Sequence, residues 1–163
     1  MPDDKARPTS MRAFQHSLPM ELLKARESAM ARFRPMLRDH GLTEQQWRVV
    51  RTLAAFGNID ATELARRSFL LAPSLTRILQ HLEGENIVKR SSDAKDQRRA
   101  VFTLTTGGRK LFSRVGPDSE ALYAEIEREF GRKKLELLYD LLSDFYQTLS
   151  KNGDGASVNL TAE

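Results

Sequence analysis

The chain has 163 residues, of which 40% are hydrophobic and 29% charged, a natural size for one domain with a real core. No apolar run is long enough to span a membrane. The opening MPDDKARPTS lacks a secretory apolar stretch, and without cysteine there is neither a disulfide framework nor a thiolate metal site. A net charge of +4 suits an anionic partner but does not demand one.

Residues 1–13 are polar, carry Pro2 and Pro8 and have no period; they read as a disordered lead, and 151–163 (KNGDGASVNLTAE) as a disordered tail. Between them, residues 14–150 read as one mainly helical domain, expected in the cytoplasm. A first helix is expected over Leu18–His40, with Leu18, Leu22, Ala25, Ala29, Phe33 and Leu37 at three- and four-residue steps. Pro35 predicts a kink or break near Arg32, and Gly41 ends the helix. Thr43-Glu44-Gln45-Gln46 is a capping box that opens a second helix with the stripe Trp47, Val50, Leu53 and Ala54. Residues 57–60 read as a short extended link, after which Asp60 or Thr62 caps a brief helix, Glu63–Ser68. Pro73 suits the first turn of a further helix, to Glu85, that buries Leu75, Ile78, Leu79 and Leu82.

A β signature follows. Ile87–Arg90 and Ala100–Leu104 are short β-prone runs on either side of a charged tip, which predicts a hairpin. Thr105 or Thr106 then starts a long helix to Phe130, with a bend expected at Gly116-Pro117. A last helix, Arg132–Leu149, sets Leu135, Leu138, Leu142, Phe145 and Leu149 along one side, a spacing that packs another helix.

Short helix, turn, helix and hairpin make a winged helix-turn-helix over about 43–105, flanked by helices at 18–40 and 106–149 that read as a dimerisation region. The fold class is mainly α with a small β-hairpin. Opposite its leucines, the Pro73–Glu85 helix presents Pro73, Arg77 and Gln80, flanked by Ser74, Thr76 and His81. Arg and Gln are the usual readers of guanine and adenine in the major groove, and acids reach this face only at its far end. The hairpin tip adds Lys95, Gln97, Arg98 and Arg99, placed to meet phosphates or a narrow minor groove. Asp93 and Asp96 would be repelled by DNA, so they are read as braces that accept hydrogen bonds from arginines or tip N–H groups.

The stretch Asp93-Ala94-Lys95-Asp96-Gln97-Arg98-Arg99, followed by Leu104-Thr105-Thr106-Gly107-Gly108, resembles the wing signature of the MarR family of bacterial transcriptional regulators. The resemblance runs from about Leu18 to Leu149. Two positions depart from the pattern: Lys95 stands where arginine is usual, and Asn86 where glycine usually precedes the first wing strand. Residues 22–30, 33–35, 42–48 and 73–76 are most similar to the members that repress operons for degradation of homoprotocatechuate, an aromatic acid. The resemblance implies a homodimer on a palindromic double-stranded operator, and relief of repression by a small aromatic carboxylate. Such an effector needs an apolar slot with a cation or donor at one end. Arg26, Ser28, Arg32, His40, Trp47 and Arg51 are the candidates to line it.

Two rival readings are weaker. For an enzyme or a metal site, His16, His40 and His81 are scattered and no ligand spacing occurs, so neither cofactor nor metal is expected. A purely helical dimerisation module would leave the hairpin unexplained.

Overall fold

A computed structural model describes residues 16–152; the lead at 1–13 and the tail beyond Asn152 lie outside the described residues. Helix α1 is Leu18–Asp39, α2 Glu44–Phe56, α3 Ala61–Ser68 and α4 Ala72–Gly84. The long helices α5, Thr106–Phe130, and α6, Arg132–Asn152, close the order, so the last helix extends past its expected end at Leu149. Strands β2, Val88–Ser92, and β3, Ala100–Leu104, form the hairpin, and a two-residue β1, Ile59–Asp60, adds a third strand in the order β1-β3-β2. Both pairings are antiparallel, with Ile59 opposite Phe102 and Arg90 also opposite Phe102.

Local chemistry explains most boundaries. The Thr43 hydroxyl accepts from Gln46 N–H and the Gln46 side chain accepts from Thr43 N–H, so both arms of the capping box form. Asp60, rather than Thr62, caps α3 through the N–H of Glu63 at 2.8 Å. Thr105 caps α5 through Gly108 N–H at 2.9 Å. After α1 the chain turns at Gly41, whose φ of +72° is cheap only for glycine. Asn86, with φ +55°, plays the same part between α4 and β2.

The two prolines do not end their helices. Both α1, with Pro35, and α5, with Pro117, run through without a break. A proline removes one backbone bond; in α1 the burial of Phe33 and Leu37 on either side of Pro35 outweighs that loss.

The core lies under the helix-turn-helix. Val49, Val50, Leu53, Leu64, Leu75, Leu79 and Leu82 pack with Val88 and Leu104 of the sheet and with Leu111 and Val115 of α5. The start of α5 is pressed against the link between α4 and β2: a Cβ at Gly108 would stand 2.1 Å from the Ile87 carbonyl oxygen. In contrast, α6 holds no buried residue among those described, and Leu137, Leu141 and Leu149 are more than half exposed.

Candidate nucleic-acid interface

Helix α4 meets solvent along one face only. Leu75, Ile78, Leu79 and Leu82 are buried, while Pro73, Thr76, Arg77, Gln80 and His81 are exposed and Ser74 is half-buried. The Thr76 hydroxyl donates to the Ala72 carbonyl at 2.9 Å, which leaves its oxygen lone pairs and methyl outward. His81 sits at the far end of this face and also lines a cavity on the flank of the helix.

The hairpin tip is braced as its aspartates suggest, and the donors are backbone. The Lys95 N–H donates to Asp93 Oδ1 at 2.7 Å, and the Arg98 N–H to Asp96 Oδ1 at 3.0 Å. Backbone bonds from Asp93 N–H to Arg99 O and from Arg99 N–H to Asp96 O, at 2.8 and 2.9 Å, close the tip. Lys95, Gln97 and Arg98 then project into solvent. Arg99 differs: its guanidinium is paired with Asp60, the N-cap of α3. Asp60 therefore joins three things, the sheet edge, the α3 cap and the wing tip. The Glu63 N–H and then Arg99 hold its carboxyl below the ordinary carboxylate value. That link spans 39 residues, and sequence reasoning saw only the cap.

The turn before α4 is held from behind. Phe69 is left-handed at φ +50°, an unusual state for a residue with a ring. Arg48 donates to the carbonyls of Ser68 and Phe69 at 3.1 and 3.3 Å and pairs with Glu44 at 2.9 Å. Glu44 in turn meets Arg26 and Arg34 of α1. Burial, with the nearby Arg26 charge second, lowers the pKa of Arg48.

The six residues considered for an effector are not gathered round one cavity. Arg26 is paired with Glu27 and Glu44, and Arg32 forms a two-pronged pair with Glu129 at 2.6 and 2.7 Å. Ser28 is exposed, and His40 Nε2 lies 2.7 Å from Asp118 Oδ2. Trp47 and Arg51, one turn apart on α2, both meet α5. The buried indole stacks on Phe112 with centroids 5.6 Å apart, and Arg51 donates to the Tyr123 hydroxyl at 3.1 Å. Phe33 of α1 packs on the Tyr123 ring at 4.9 Å. Tyr123 and Phe112 had no sequence signal, since both reach α2 only through the packing of α5. Arg51 thus meets a tyrosine hydroxyl, whereas Arg26, Arg32, Arg34 and Arg48 all meet carboxylates.

A MarR-family model matches residues 42–100. The homoprotocatechuate degradative operon repressor of Escherichia coli is 43% identical over 129 residues, 79% of this chain and 87% of that protein. The chain belongs to the MarR family. The transcriptional regulator FarR of Neisseria gonorrhoeae is 42% identical over 128 residues, 78% of this chain and 88% of the relative. Among solved structures, that of NadR in complex with 4-hydroxyphenylacetate is 37% identical, with a TM-score of 0.78 over 84% of this chain and all of that one. The fold is that of a MarR-family winged helix-turn-helix, with α3–α4 as the helix-turn-helix and β2–β3 as the wing, and no described helix is long and apolar enough to cross a membrane.

Proposed function

We propose that this protein is a cytoplasmic transcriptional repressor, not an enzyme, that binds a palindromic operator as a homodimer and is released by a small aromatic carboxylate. The observation that carries the DNA reading is the exposed Arg77–Gln80 face of α4 beside a wing whose tip is locked by its own aspartates. Pro73, Ser74, Thr76, Arg77, Gln80 and His81 are the groove-facing set. Lys95, Gln97 and Arg98 contact the phosphate rim or minor groove, and Arg99, held by Asp60, sets where the wing points. The dimer is formed by α1, α5 and α6; the leucines of α1 and α6 and Phe130 at the end of α5 are left exposed among the described residues. Two α4 helices then meet successive major grooves about 34–36 Å apart.

The effector reading rests on Trp47, Arg51 and Tyr123. A carboxylate needs a cation whose charge is not already neutralised, and Arg51 meets that condition beside an aromatic wall. The relatives support the chemistry, through the named operon of one and the named ligand of another. Release follows if the acid binds best to a spacing of the two lobes that misses successive grooves. DNA fragments selected by the protein from genomic DNA supply the operator, and anisotropy with 4-hydroxyphenylacetate then tests release. The reading expects a palindromic site and a loss of affinity that Arg51→Ala abolishes; no preferred sequence would overturn it.

A further inference from the structure

A cavity of about 640 Å³ opens on the far side of α2 from its Arg51 face, where the α1–α2 corner, the end of α4 and the start of α5 meet. Its floor is hydrocarbon: Leu42, Leu82 and Leu111 are all buried. On its rim Lys110 and Arg114 stand one turn apart on α5, and neither has a carboxylate partner among the described residues. The next turn of the same stripe is Asp118, and it is occupied by His40, whose ring forms another part of the wall. His81 faces in from α4, and Glu85 is the one carboxylate of the lining. The wall joining α4 to α5 is rigid: the Thr105 hydroxyl donates to the Asn86 carbonyl at 2.6 Å, and Thr105 N–H to Ile87 O at 3.0 Å.

We propose that this cavity is a second ligand site, built within one chain, that takes a small organic carboxylate with a hydrocarbon body. An apolar floor with a few convergent polar groups is the usual make-up of a small-molecule site, and this volume lies in the usual range of about 300–1,000 Å³. Lys110 and Arg114 bind the carboxylate as charge-assisted donors, and the buried leucines receive the body. Two unpaired cations against one acid give the site its preference for anions. Because His81 and Glu85 belong to the end of α4, an occupant touches the recognition helix directly. A bound acid there therefore reports to the DNA-binding face without passing through the dimer contacts.

The test uses the full chain carrying Arg51→Ala, so that the aromatic slot near Tyr123 does not contribute, with benzoate as the probe. Ring resonances of His40 and His81, assigned with His81→Gln, are followed by NMR. Saturable shifts at millimolar benzoate are expected. Lys110→Gln with Arg114→Gln should weaken them by about tenfold or more, the scale of a lost charged hydrogen bond, and Lys110→Arg should keep them. Thermal melting checks that the exposed, unpaired pair can be replaced without unfolding. Absence of shifts, or equal shifts in the double variant, would overturn the proposal. Equal shifts with inorganic phosphate would overturn it too, since a bare anion has no use for the leucine floor. The outcome is independent of whether Arg51 serves the effector.

Discussion

The helix-turn-helix lobe and helix α6 are built from the same apolar residues, but only the first hides them. Leu53, Leu64, Leu75 and Leu82 are at most 2% exposed, whereas Leu137, Leu141 and Leu149 are 56–57% exposed. The lobe is complete within one chain because the three helices α2–α4, a three-stranded sheet and the first half of α5 cover each other. Among the described residues little covers helix α6; Tyr146 meets the Phe69 ring, with centroids 6.0 Å apart, while its leucines stay exposed. A long helix with an uncovered apolar side is marginal in water, so its stability must come from packing against another molecule. On the proposed function this contrast is a division of labour: one region would read DNA, and the other would set how two copies stand.

The largest effect should come from α6. Each leucine brought out of water at an interface contributes about 1.5–3 kcal/mol, and two substitutions occur four times in a twofold dimer. Leu138→Asp with Leu142→Asp should therefore yield a monomer by light scattering at micromolar concentration, with the α2–α4 lobe still folded by circular dichroism. A dimer in that variant would erase the contrast between the two regions.

Next come the groups proposed to read bases. Arg77→Ala or Gln80→Ala should reduce discrimination between operator and random DNA by about 1–3 kcal/mol, with dimerisation intact. Unchanged discrimination in both would leave the outward face of α4 without a role. A smaller and different effect is expected from the wing. Arg98→Ala should weaken specific and non-specific binding alike and reduce the slope of log affinity against log salt by about one.

The smallest effect concerns the Asp60–Arg99 latch. The Glu63 N–H and Arg99 hold the Asp60 carboxyl below its ordinary 3.8, so the folded form binds this proton less readily than the unfolded one. The latch then contributes fully above pH 3.8 and is lost as pH falls below it, through the depressed value. Backbone amide exchange at the wing should rise on that acid side, and Asp60→Asn should remove the dependence while leaving the tip's own turns closed.

Much of this was legible in the sequence, for reasons that differ by residue. Thr43 and Gln46 lie three apart and decide a helix start by themselves. The leucines of α4 fix its buried face, and with it the outward position of Arg77 and Gln80. Asp93 and Asp96 act on N–H groups two residues away, so their bracing was visible in local order. What was hidden depends on partners far along the chain. Strand β1 is two residues long and exists because β3 lies beside it. Pro35 predicted a kink or break, and the helix was not broken because tertiary burial on both sides held it together. Of the six effector candidates, Trp47 and Arg51 meet aromatic residues of α5, while carboxylates 97 and 78 residues away pair with Arg32 and His40. Periodicity along one helix cannot report such pairs.

On the proposed function, operator and aromatic acid oppose each other through the spacing of the two lobes. Binding free energies are reciprocal, so whatever factor the acid takes from operator affinity, the operator must take from acid affinity. Calorimetric titration of 4-hydroxyphenylacetate into the free dimer and into the dimer saturated with operator measures that factor directly. Binding to the complex should be weaker, by the same factor that the acid lowers operator affinity. Equal affinities in the two titrations would contradict it.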